Sequence, residues 1–492
     1  MGLGILKLVS VGNENTIVNN NPEITFFKKV INKVNVFGVE NISQYFKSIP
    51  DFGRKVTVNI GNIGDLVGKL SLCVELPEIQ PSNHTILPNG IKKMAWVKKI
   101  GLSIIKYIDL DIDGILIQRH YNDWLNILYE TEILTNTDFE NLIGKDITIL
   151  EELSNGKISY KLHIPLKFFF CYDNLLPIGS LYKQNVKLHI EFNTFNKCYI
   201  ESPTHYFEIN DNICLFEKGE IIEQTIDNFN SFGKFVYFDN IRKRVYYDKI
   251  YNDFVIPNES NKNNTKYNII GKNTNFSLNP KYNTIIVTDE KYFNITPSLK
   301  NAYIIAQYIF LAKDEKLFFQ NNKHQFIIPM VNNVLDKDVF TTNSNYKLTL
   351  THPTKILYWR AILQNNIDNK DYYNYSSLPL TTYEEPLIIK NKVVINSIPR
   401  VDINNYEFYT FLQTYLNGFK SNDYIYQYSF CNDPLSESPN GTFNFSKIDD
   451  SYVQLNMNKI INYQNPANVR LYSVYYNVLV IDKGTSSLKY IH

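Results

Sequence analysis

Asp109-x-Asp111-x-Asp113-Gly114 opens like a calcium-binding loop, in which alternate side-chain oxygens surround the ion. The twelfth position of such a loop supplies a bidentate glutamate. Here it is His120, and the flanking residues alternate as strands do. A solvated strand face ending in an Asp-Gly turn is the better reading. Gly64-Asp65-Leu66-Val67-Gly68-Lys69 has the composition of a phosphate loop, but its glycines are wrongly spaced and Leu70 replaces the Ser or Thr that would hold magnesium. It is expected to be a strand and turn with a packing role. His189-Ile190-Glu191 imitates the His-x-Glu of zinc deaminases without a following Pro-Cys-x-x-Cys. The eight histidines form no His-x-His or His-Glu-x-x-His arrangement. No Gly-x-Ser-x-Gly elbow is present, and Glu151-Glu152 and Asp449-Asp450 read as ordinary solvated charges. No catalytic, metal or cofactor site is expected.

The five cysteines, Cys73, Cys171, Cys198, Cys214 and Cys431, include no Cys-x-x-Cys pair. An odd, scattered set in a large chain reads as reduced, buried thiols. Net charge is +1, with 44% hydrophobic and 20% charged residues. A protein held by phosphate contacts usually carries a basic excess, so direct nucleic-acid binding is not expected. Met1-Gly2-Leu3-Gly4-Ile5-Leu6 lacks the basic and apolar regions of a secretory leader, and no apolar run approaches a spanning length. A soluble protein is expected.

The elements that would position these residues are mostly strands. Aromatic content is 14%, with 36 Tyr and 31 Phe, a composition suited to pleated, half-buried surfaces. Alternation predicts strands at Lys55–Ile60, at Ile108–Ile112 with a hairpin into Ile115–Ile117, and at Val186–Phe192. Further strands are predicted at Tyr303–Phe310, Gln325–Pro329, Tyr346–Leu350, Lys392–Ile395, Tyr424–Phe430 and Val469–Val480. Short helices are predicted at Asn122–Glu130 and Tyr406–Tyr415. Many short strands and few helices indicate sandwiches or barrels. An Asn-rich stretch over 252–300 reads as long loops and short strands elaborating the surface.

Several blocks carry a resemblance. Asn21-Pro22-Glu23-Ile24-Thr25-Phe26-Phe27-Lys28, Asp51-Phe52-Gly53-Arg54-Lys55 and Gly64-Asp65-Leu66 resemble the amino-terminal signature of double jelly-roll major capsid proteins of nucleocytoplasmic large DNA viruses. His120 to Asn126 around Trp124, and Ile164-Pro165-Leu166 to Cys171, resemble the family's following helix and its Pro-Leu-aromatic-Cys segment. In the second half His352-Pro353-Thr354-Lys355 with Trp359, Pro439-Asn440-Gly441-Thr442-Phe443-Asn444-Phe445, and Val469 to Leu479 through Asn477 are similar to blocks in the family's order.

The resemblance implies an all-β protein of two consecutive eight-stranded antiparallel jelly rolls, with long loops and a few short helices. The expected divisions are 1–205 for the first roll, 206–300 for a connecting region and loop elaboration, and 301–492 for the second roll. It implies a non-enzymatic shell subunit, forming a homotrimeric pseudo-hexagonal capsomer that tiles an icosahedral virion. Neighbouring capsomers, minor and penton capsid proteins, and an inner membrane lying beneath the shell without being spanned are the implied surroundings. Assembly in the host cytoplasm is implied as well. Asn21, Pro22, Phe26, Phe27, Phe52, Gly53, Gly64, Asp65, Trp124, Pro165, His352, Pro353, Trp359, Gly441, Phe445 and Asn477 are the expected core and motif positions. The alternatives are a minor capsid protein or assembly scaffold of the same fold, or a jelly-roll carbohydrate-binding or hydrolytic protein with a ligand groove.

Overall fold

A computed structural model describes residues 35–490 apart from 82–92, 132–136, 173, 228, 258–264, 282–283, 287–295, 378–384, 402–404, 420–423, 437 and 449. Asn21, Pro22, Phe26 and Phe27 lie outside the described residues. No helix among the described residues is long and apolar enough to cross a membrane.

Alternation does the building. In Lys55–Ile60 the residues Val56, Val58 and Ile60 turn inward, and in Val186–Phe192 so do Val186, Leu188, Ile190 and Phe192. The two strands pair antiparallel with Val56 opposite Ile190 and Val58 opposite Leu188, so both apolar sets fall on one face. Ile105–Ile112 and Ile115–Tyr121 extend this to a four-stranded sheet. A second four-stranded sheet runs in the order Phe37–Gln44, Asn301–Leu311, Leu66–Leu76, Tyr160–Leu166. Leu72 and Val74 of this sheet share one core with Ile108, Leu188 and Ile190 of the first.

The other half repeats the winding. One sheet runs His324–Val339, Ala467–Asp482, Pro353–Leu363, Tyr426–Ser429, and the other runs Asn343–Lys347, Ser451–Met457, Ile388–Ile395, Ile398–Pro399. In both halves the last long strand lies between the first and third, and the strand before it lies beside the second. That pairing is the jelly-roll winding, so the chain is a double jelly roll. Two sheets of four per roll would be the simplest form. In the second roll the short strands Phe443–Asn444 and Thr485–Leu488 enlarge one sheet to six.

Four further differences have physical causes. Asn301–Leu311, grouped with the second roll on sequence, instead hydrogen-bonds along Phe37–Gln44 on one side and Leu66–Leu76 on the other. It is an inner strand of that four-stranded sheet, separated from its neighbours in sequence by a long insertion. That insertion, expected as a connecting region with loops and short strands, folds as a seven-stranded sheet whose long members are Phe229–Asp239 and Arg244–Tyr251. The insertion has its own core of Phe207, Ile222, Phe235, Tyr247 and Phe254. The strand expected over Tyr346–Leu350 is Asn343–Lys347, after which the Leu348 N–H makes one more bond to the Ser451 carbonyl before the chain leaves the sheet. The helix near Tyr406–Tyr415 forms with π winding over Phe408–Leu412, on which Tyr409 is fully buried against Trp359.

Trp359 anchors the second core. It is fully buried among Leu357, Tyr409, Tyr426 and Leu455, and its indole N–H donates to Asn391 Oδ1 at 2.8 Å. Trp359→Phe removes that donor and leaves a buried amide oxygen unmet, a loss of about 1–3 kcal/mol from the hydrogen bond alone. Denaturant unfolding should show the second roll destabilised by at least that much, and an unchanged midpoint would refute the assignment.

Candidate functional site at the roll junction

The Asn122–Thr131 helix leaves the Ile115–Tyr121 strand with no intervening loop. It is buried on more than one face, as a helix between two bodies must be. Leu125 and Tyr129, four residues apart, pack into the first roll's core. Trp124 and Ile127 pack instead with Ile356, Tyr358, Ile362 and Tyr472 of the second roll. The Trp124 ring lies 5.1 Å from Tyr472 and 5.7 Å from Tyr358, centroid to centroid. The Tyr129 hydroxyl donates back to the Pro165 carbonyl, tying the helix to its own roll.

Asp123, in the first turn of this helix, carries the polar contact between the rolls. Arg360 donates from Nη2 at 2.7 Å and Nε at 3.2 Å to Oδ2, while Arg470 donates from Nη1 at 3.0 Å to Oδ1. The Tyr472 hydroxyl donates to the same Oδ1 at 2.7 Å. The network continues outward. Arg360 Nη1 donates to the Asn468 carbonyl and side-chain oxygens, and Arg470 pairs with Asp336 at 2.8 Å. Burial pushes the Asp123 carboxyl up, but Arg360, Arg470 and Tyr472 outweigh it and hold the group below the ordinary aspartate value of 3.8.

Smaller polar ties flank this centre. Gln118 donates to the Pro329 carbonyl at 2.7 Å and accepts from the Phe169 N–H. Ser180 donates to the Phe319 carbonyl at 2.8 Å, and Gln184 Oε1 accepts from the Ser486 N–H and hydroxyl. Asp65 accepts from the Leu311 N–H at 2.9 Å and pairs with Lys316 at 2.9 Å, holding the segment that leads into the second roll.

The sequence-selected positions do not converge. Phe52 is half-buried, stacked on Trp96 and edge-on to Phe195. Gly53 takes φ +71°, its N–H donating to the Asn193 carbonyl. Gly64 sits against Tyr308, where an added Cβ would lie 3.0 Å from the Tyr308 Cβ. His352 stacks flat on Tyr475 at 4.3 Å, and Pro353 opens the Pro353–Leu363 strand. Gly441, at φ +144°, lies against the Cys431 backbone. Phe445 is buried beside Phe443 and Phe430. Asn477 donates to the Tyr490 carbonyl at 2.8 Å and accepts from the Tyr490 N–H. Of the set, Trp124 and Asp65 lie at the junction.

The tempting chemical motifs resolve into structure. Asp109 and Asp111 are buried, against the expectation of a solvated face. Asp109 forks with Arg119 at 2.6 and 2.7 Å, and Asp111 accepts from the Gly114 N–H. His189 meets Thr57 at 2.8 Å, while Glu191 pairs with Lys106 at 2.6 Å. Among the described residues no three or more His, Cys, Asp or Glu side chains form a group fit for a metal ion. Burial raises the Cys73 and Cys214 thiols to about 11 and Cys171 and Cys198 to about 12, which makes them poor nucleophiles.

Asp123, Arg360 and Arg470 were not singled out from sequence. The available signal was Arg360 itself, a charge inside the apolar run Tyr358-Trp359-Arg360-Ala361-Ile362-Leu363. Asp123→Asn removes the charge that both arginines answer. It should cost about 3–5 kcal/mol at pH 7. Because the folded pKa is depressed, the wild-type advantage is present above the ordinary value of 3.8 and is lost as pH falls through the lower folded value. Denaturation curves of the two proteins should therefore converge in strong acid, and a constant gap would refute the ion-pair account.

His120 offers the opposite sign of group. Burial lowers its imidazole from 6.5 to about 3. Between those values the unfolded chain binds a proton that the folded chain does not, so stability falls as pH falls across that window. His120→Phe should flatten this slope in a series of thermal melts.

Two family models match the chain: major capsid protein N-terminus over residues 25–239, and large eukaryotic DNA virus major capsid protein over residues 315–487. Probable capsid protein 4 of Acanthamoeba polyphaga mimivirus is 30% identical over 499 residues, covering 97% of each chain. The major capsid protein of Pyramimonas orientalis virus is 24% identical and covers 100% of each. The solved Faustovirus major capsid protein superposes with a TM-score of 0.65 at 10% identity over 93% of each chain, a likeness of fold.

Proposed function

We propose, from the premise that this chain belongs to the major capsid protein family of large eukaryotic DNA viruses, that it is the main building subunit of a virion shell. The family is structural, and its work is association without chemical turnover. The observation that carries the reading is the junction. Two jelly rolls joined through buried Asp123 form one stiff block, as a tile must. In our reading three such blocks form a homotrimer whose six rolls make a pseudo-hexagonal capsomer, closed by threefold symmetry. Capsomers then contact one another and the minor and penton proteins, in shells put together in the host cytoplasm, with any inner membrane lying beneath and not spanned.

Exposed apolar residues support association. The helical segment around Phe408–Leu412 and Gln413–Leu416 presents Phe411, Leu412, Tyr415 and Leu416 to solvent, a face that a neighbouring copy would cover. We also divide the chain differently from the sequence expectation. The first roll closes with Asn301–Leu311, the region between Phe192 and Asn301 is an insertion within it, and the second roll begins after Leu311. The hydrogen bonding of Asn301–Leu311 supports this division.

Native mass measured on the purified protein tests the assembly. A single species near three times 57.5 kDa, roughly 170 kDa, is expected. A strict monomer at high concentration would overturn the capsomer reading. Low copy number in purified virions would make the chain a minor component of the shell instead.

A further inference from the structure

We propose that Lys99 and Asn126 are the two halves of an intramolecular isopeptide bond, which the folded chain forms by itself with Glu130 as the catalytic base. Asn126 and Glu130 lie one turn apart on the Asn122–Thr131 helix and so share a face. Lys99 comes from elsewhere in the first roll, just before the short Ile100–Ser103 helix, and its backbone takes the left-handed conformation at φ 50° and ψ 49°. Its Nζ donates to Asn126 Oδ1 at 2.7 Å and to Glu130 Oε1 at 2.6 Å. Asn126 is only 1% exposed, and the Lys99 and Glu130 side chains are 13% and 20% exposed. Nucleophile, electrophile and base are therefore in contact and largely out of water. Residues of the second roll cover them. The Tyr375 hydroxyl accepts from Asn126 Nδ2 at 3.2 Å, and the Tyr373 ring centre lies 5.2 Å from Lys99 Nζ.

The chemistry balances without a co-reactant. Burial pushes the Glu130 carboxyl up, but Lys99 and Lys145 outweigh it and hold the group below its ordinary value, so it is present as the anion. Glu130 takes a proton from the Lys99 ammonium. The freed amine, already against the amide oxygen, has only to shift to the adjoining Cγ, which lies about 1.2 Å from that oxygen. The bond from Lys99 Nζ to Asn126 Cγ forms, and the Asn126 Cγ–Nδ2 bond breaks. The two protons shed by the Lys99 nitrogen pass through Glu130 to the departing nitrogen, which leaves as ammonium. Nothing is oxidised or reduced, and Glu130 is returned ionised. Free amines and amides react very slowly in water, and holding the pair together in fixed orientation removes much of that barrier. Lys145 is the other amine at Glu130, but it stands at 3.5 Å and is held by Glu140 at 2.9 Å. The bond pins to the first roll the same helix that carries Asp123, through a link that thiol reductants do not open.

Intact mass spectrometry of the full-length protein, denatured and reduced, detects the bond, because an ordinary ion pair leaves no trace in the mass of the denatured chain. The wild-type chain should weigh one ammonia less than its unlinked sequence. A protease digest should contain one branched peptide joining Lys99 to Asn126. Lys99→Arg, which removes the nucleophile, and Glu130→Gln, which keeps both amine and amide, should each show the unlinked mass. Should either variant fail to fold, the wild-type mass and the branch point still decide the matter. Loss of water in place of ammonia would mark an amide between Lys99 and Glu130 and would overturn the proposal. So would a wild-type chain that keeps its full mass after prolonged incubation, a branch point at other residues, or a bond that forms as fast in Glu130→Gln as in the wild type.

Discussion

A single carboxylate shared by two guanidinium groups sets the geometry of this molecule. Asp123 is withdrawn from water, and an isolated buried charge of that kind costs several kcal/mol. The cost is offset only if Arg360, Arg470 and the Tyr472 hydroxyl all reach it. Apolar packing alone tolerates sliding, but charge-assisted hydrogen bonds are directional. The Asn122–Thr131 helix therefore docks on the second roll in one orientation. Asp336 and Asn468 then hold the two arginines from their far side, so the recipient surface is itself braced.

The two rolls use one winding with different contents. The first shares its core with residues from the second, since Ile328, Met330, Leu479 and Ile481 join Ile304 and Tyr308 in the same cluster. The second keeps a separate core around Trp359. The junction is thus asymmetric: the His324–Val339 and Ala467–Asp482 strands contribute to the first roll's core as well as to their own, while no residue of the first roll joins the core around Trp359.

The fold was largely legible because strand alternation writes itself into residue types. Lys55–Ile60 and Val186–Phe192 could be read to the residue, since each buries every second side chain. A strand was also read at Tyr303–Phe310, inside the observed Asn301–Leu311, but no local pattern reveals a partner that lies more than 200 positions earlier. Asp109 and Asp111 misled because an acidic residue alternating with isoleucine looks solvated. Burial of Asp109 depends on Arg119 across the hairpin, which a one-strand reading does not weigh. Trp124 was expected in a core and is buried, yet its neighbours belong to the other roll, a matter of tertiary pairing. His120 stood out as the wrong residue for a calcium ligand and as the first residue of a family block. Its burial becomes apparent only once Phe168 is stacked on it.

The insertion within the first roll has a consequence for how the chain comes off the ribosome. Asn301–Leu311 sits in the middle of its sheet, between Phe37–Gln44 and Leu66–Leu76. Until it emerges, Phe37–Gln44 has no hydrogen-bonded neighbour in its sheet, and Leu66–Leu76 presents a bare edge. The seven-stranded insertion, all of it lying before Asn301, is synthesised complete in that interval and can settle first around its own core. Translation thus holds an open sheet edge ready while a separate body finishes. During that wait at a synthesis rate of roughly 5–20 residues per second, a nascent chain is most exposed to pairing with another copy of itself.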